Sequence, residues 1–131
     1  MERDIYRGRL KLNGEEHVNT LISALNSAAT LVDLKRFEEA KSLLRRTLPV
    51  ARRALGKDDI TTLGLESIYA EALYRDPGAT LDDLREAVTS LEDAGRRARR
   101  VLSGAHPLAF DFGQHLRRSR AALRARETPS A

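Results

Sequence analysis

The chain has 131 residues, 41% of them hydrophobic and 32% charged, with a formal net charge of +4. That mixture fits one folded domain with a modest core, not a disordered segment. It contains no cysteine, which excludes disulfides, thiolate metal sites and cysteine nucleophiles.

The charged start Met1-Glu2-Arg3-Asp4 has no apolar stretch behind it, so no secretory signal is expected. No apolar run approaches the roughly 20 residues a membrane helix needs. Together with the missing cysteines, this makes a cytoplasmic location and no membrane partner the expectation. Residues 2–12 read as a first helix, resembling the second helix of a preceding pair. Its apolar Ile5, Leu10 and Leu12 lack a partner nearby in sequence, so self-association through exposed terminal helices is one expectation.

From residue 18 the apolar positions recur at spacings of three and four. Val18, Leu21, Ile22, Leu25, Ala28, Ala29 and Val32 predict a helix over 18–34. Phe37, Ala40, Leu44, Leu48, Ala51 and Leu55 predict the next over 37–55. Gly56 then supplies a C-terminal stop and Asp59 an N-cap. Ile60, Leu63, Ser67, Ala70, Leu73 and Tyr74 mark a helix over 60–74. Arg75-Asp76-Pro77-Gly78-Ala79-Thr80 is a loop, and Thr80 with Asp83 has capping-box spacing. A helix over 81–102 follows from Leu81, Leu84, Val88, Leu91, Ala94, Ala98, Val101 and Leu102. Gly104 is its expected stop. His106 is the N-cap and Pro107 the first turn of a weaker helix over 107–126, with Leu108, Phe112, Leu116, Ser119 and Leu123 on its stripe. Residues 1–127 are taken as one domain and 128–131 as a frayed tail.

The markers repeat. Gly14 to Leu21 aligns with Gly56 to Leu63, 42 residues on, and again with Ser103 to Phe110, 47 further, the loop 75–80 accounting for the excess. The unit is helix, tight turn, helix, short loop. Such a unit buries its apolar stripe only by stacking on its neighbours.

Those residues resemble tetratricopeptide repeats of the kinesin-light-chain-like type. The first repeat carries Gly14, His17, Thr20, Leu21, Asn26, Ala28, Leu31, Phe37, Glu39, Ala40, Leu43, Leu44, Arg45, Arg46 and Leu48. The second keeps Leu55, Gly56, Thr62, Leu63, Ala70, Leu73, Ala87 and Leu91, and the third Leu102, His106, Pro107 and Phe110. Lys35 departs from the family, which prefers Gly in that turn, and Arg117 and Arg120 stand where small or apolar residues are expected. The resemblance implies an all-α fold, an α-α superhelix of antiparallel helix pairs with about two and a half repeats. It also implies a concave groove that binds a peptide or partner helix. By register, that groove is lined by Ile22, Asn26, Ala29 and Asp33, by Ser67, Ile68, Glu71 and Arg75, and by Asp111, Gln114, His115 and Arg118. The expected function is a protein-interaction scaffold and not an enzyme, with no cofactor.

No phosphate loop, nucleophile elbow or metal-ligand set is legible. Asp111 and His115 share a helix face, but two ligands do not make a metal site. His17 and His106 occupy the same repeat marker and read as caps. Arg52-Arg53, Arg96-Arg97 with Arg99-Arg100, and Arg117-Arg118 with Arg120, Arg124 and Arg126 lie late in helices, where they complement the dipole. They also make an acidic peptide a natural partner. Nucleic acid is the less favoured alternative, because aromatic stacking positions are missing.

Overall fold

In a computed structural model, the backbone is described for residues 2–103 and 106–128, and side chains from His17 onward within those limits. Five helices follow in order: α1 Glu2–Asp33, α2 Phe37–Leu55, α3 Ile60–Arg75, α4 Leu81–Val101 and α5 Pro107–Glu127. Short connections between packed neighbours make successive helices antiparallel.

One expectation is corrected at once. The sequence suggested separate helices over 2–12 and 18–34, whereas the chain runs helical without a break from Glu2 to Asp33. Between residues 12 and 18, Gly14 is the one glycine, and no proline interrupts the stretch. A single glycine costs a helix about 1 kcal/mol, too little to stop it where no proline intervenes and Glu15 and Glu16 favour helix. His17 therefore lies inside α1 and caps nothing. The apolar side chains expected to drive self-association, Ile5, Leu10 and Leu12, lie outside the described side chains, as do Gly104 and the tail beyond Thr128.

The other boundaries have local causes. The Asp59 carboxylate accepts from the Thr61 amide at 2.8 Å and starts α3. Thr80 Oγ1 accepts from the Asp83 amide at 3.1 Å, and Asp83 returns the bond to the Thr80 amide at 3.0 Å, which completes the capping box of α4. His106 Nδ1 accepts from the Leu108 amide at 3.1 Å, with Pro107 opening α5. Gly56 takes φ +91° after α2. The turn between α1 and α2 puts Lys35 at φ +62°, the left-handed region that disfavours a side chain.

α3 is the spine. It packs on α1, α2, α4 and α5, while α2 and α4 do not touch each other among the described residues. α3 is consequently buried on nearly every side, Thr62 through Ser67 without interruption. A Cβ on Gly64 would sit 3.4 Å from a Leu25 methyl, so glycine here sets how closely α1 and α3 approach. Leu21, Ala28, Leu44, Leu48, Ala51 and Leu65 form one apolar cluster, and Val32, Phe37, Ala40 and Ala72 a second. Leu63, Leu73, Leu84, Leu91, Ala98 and Phe112 belong to a third, between α3, α4 and α5. Ala40 is fully buried at the crossing of α1 and α2.

Two ionic knots pin the repeats. Lys41 is buried and binds Asp76 at 3.0 Å and Glu38 at 2.8 Å, tying α2 to the loop after α3. Burial opposes its charge, but those two carboxylates prevail and raise its pKa. Asp76 is shifted down: burial works against ionisation, and the Gly78 amide and Lys41 outweigh it. Deeper in, Arg97 donates to Glu66 at 2.7 Å, to Asp93 at 3.1 Å and to the Lys57 carbonyl at 2.6 Å. The side chains of Glu66 and Arg97 are only 7% and 8% exposed. Of the arginines clustered late in α4, Arg97 is thus spent inside the array.

Candidate interaction face

α1, α3 and α5 touch in succession, so the first helices of the repeats form a continuous layer. On α1, Ile22, Asn26 and Asp33 are exposed and Ala29 half-buried. The Asn26 side chain has no partner among the described residues, and it borders a shallow hollow with Ser27, Thr30, Leu31, Leu34 and Arg36. Its amide is therefore free to donate and accept.

On α3 the expectation is half corrected. Ser67 is only 5% exposed and sits in the interior, and Ile68 is half-buried against the clusters under α1 and α2. Register places Ser67 and Ile68 on the same face as Glu71 and Arg75, but four packed neighbours leave α3 little free surface. Glu71 and Arg75 do reach the surface layer. Arg75 Nη1 binds Glu71 at 2.7 Å, and its guanidinium lies 5.9 Å from the Phe37 ring centroid.

From α5, His115 closes this group. Its Nδ1 is 2.6 Å from the Tyr74 hydroxyl and its Nε2 3.8 Å from Glu71. A hydrogen on Nε2 lets Tyr74 donate to Nδ1 and turns the imidazole N–H toward the carboxylate. Burial holds the His115 pKa below its ordinary value, with Glu71 and Asp111 opposing that shift and Arg118 and Arg75 adding to it. Burial raises the Tyr74 hydroxyl pKa, with Glu71 adding to that shift and Arg118 and Arg75 opposing it. Asp111 and Arg118 are exposed and Gln114 half-buried.

Glu71, Arg75, His115, Asp111 and Arg118 therefore meet across α3 and α5. Tyr74 joins them although the sequence reading assigned it to the apolar stripe. The signal was available, since a buried tyrosine hydroxyl needs a partner and Tyr74 is one turn from Glu71. Arg117 and Arg120 are exposed on α5, Arg120 pairing with Glu92 at 3.2 Å. The described residues hold no group of three or more metal-ligating side chains. None of the described helices is long and apolar enough to cross a membrane.

Stacked antiparallel pairs around a shared spine define a helical repeat protein. Residues 20–61 match the family model for the tetratricopeptide repeat, which supports a repeat array of the kinesin-light-chain-like type. Repeats of this family generally mediate protein–protein interactions and are generally scaffolds rather than enzymes. No curated protein and no solved structure matches the chain.

Proposed function

We propose that the chain is an interaction scaffold that binds an extended peptide across the layer formed by α1, α3 and α5. The observation that supports this most is the unpartnered Asn26 amide on α1, set in the same layer as the Arg75–Glu71–His115 cluster. An amide can hold a peptide backbone in register, while Arg75 and Arg118 favour acidic side chains in the ligand.

The test is an array of immobilised 15-residue peptides rich in Asp and Glu, its hits remeasured by fluorescence anisotropy. Asn26→Ala combined with Arg75→Ala should weaken such hits at least tenfold, about 1.4 kcal/mol, with the melting temperature retained. Unchanged affinity in the double variant would remove the binding face from this layer.

A further inference from the structure

The opposite side of the molecule carries a groove that this reading does not use. Because α2 and α4 both rest on α3 without touching, they stand apart as two walls over a cavity of about 290 Å³. The α2 wall is basic, with Arg45 and Arg52 two turns apart. The α4 wall is acidic, with Glu86 and Asp93 at the same spacing and Ser90 between them. Leu48, Pro49 and the Tyr69 ring give the floor an apolar strip.

Several polar groups in this groove remain available. Glu86 and Ser90 make no hydrogen bond or ion pair among the described residues. Among the described residues, Arg45 hydrogen-bonds the Tyr69 hydroxyl at 3.3 Å and lies beyond ion-pair distance of Glu86, whose charge still acts on it across the groove. Pro49 lies inside α2 and has no amide hydrogen, so the Arg45 carbonyl is left without its donor four residues on. That carbonyl lies on the face shared by residues 45 and 49, the face that lines the groove. Two walls of opposite charge, an apolar strip beside the neutralised Glu66–Arg97 pair and a spare backbone acceptor suit a chain that sends successive side chains to opposite sides. An extended peptide does so with a period of two.

We propose that the groove between α2 and α4 is a second docking site, and that its occupant is an extended peptide segment alternating acidic and basic residues. The acidic side chains face Arg45 and Arg52, the basic ones face Glu86 and Asp93, and one peptide N–H donates to the Arg45 carbonyl. A segment of uniform charge meets one wall that repels it.

The probe is a blocked, fluorescein-labelled hexapeptide alternating glutamate and lysine, read by anisotropy beside blocked hexaglutamate and hexalysine. The alternating peptide should bind about tenfold tighter than either control. Arg45→Glu and Glu86→Arg should each weaken it by about tenfold, because each puts a charge on its wall that repels the side chains facing it. Both positions are exposed, and circular dichroism melting checks that the variants fold. Arg75→Ala, on the other side of the array, should leave this affinity unchanged. The proposal is overturned if the uniform peptides bind equally well, if no peptide binds, or if neither charge reversal has an effect. Loss of binding in Arg75→Ala alone would move the peptide to the other face and overturn it too.

Discussion

Lys35 holds φ +62° in the turn between α1 and α2, a conformation that costs an L-residue about 1–2 kcal/mol relative to its ordinary regions. Its side chain is exposed, so nothing in the interior compensates. Lys35→Gly should therefore stabilise the protein by about 1 kcal/mol in urea unfolding, and Lys35→Val should destabilise it. Ala40 presents the reverse case. It is fully buried against Val32, Phe37 and Ala72, and Ala40→Leu should cost about 1–3 kcal/mol through overpacking. Glu66 and Arg97 show what an interior charge demands. Arg97→Met alone strands the Glu66 carboxylate with only the long 3.3 Å contact to Arg52 and should cost about 3–5 kcal/mol. The double change with Glu66→Leu should cost less, which a double-mutant cycle measures. His115 supplies a pH dependence. Its folded pKa lies below its unfolded value near 6.5, so below that pH the unfolded chain takes up a proton that the folded one resists. Stability should fall as pH drops from about 7 to 5. His115→Gln should flatten that fall in thermal melts.

At the scale of the element, caps decide where helices begin. The Thr80–Asp83 box is complete, and Thr80→Ala should remove about 1 kcal/mol from the second repeat, read as a lower urea midpoint at constant slope. These ends were legible in sequence because caps act locally: Asp59, Thr80 and His106 each bind an amide two or three residues away. The continuous helix α1 was not legible, since the repeat marker at Gly14 to Thr20 looked like a boundary while its residues tolerate helix. Ser67 and Ile68 were misplaced for a related reason. Register says which residues share a face, but only the assembled array says how many neighbours cover it. The ties of Arg97 were hidden likewise, because Glu66 is 31 positions away and Lys57 is 40.

At the scale of the molecule, the all-α repeat architecture followed from period and patterning, and the cluster of Glu71, Arg75 and His115 from register alone. The opposite groove did not, because it exists only where α2 and α4 fail to meet. The arrangement around α3 has a further consequence, in time rather than in space. Among the described residues, every helix packs on its neighbour in sequence or on the next but one, so no distant ends must find each other before the core can form. Loop closure is short at every step, and chains built this way reach the native state in roughly microseconds to milliseconds. Stopped-flow refolding from urea should accordingly finish within the dead time or soon after it. A major phase lasting seconds would point to ordering that this nearest-neighbour arrangement does not contain.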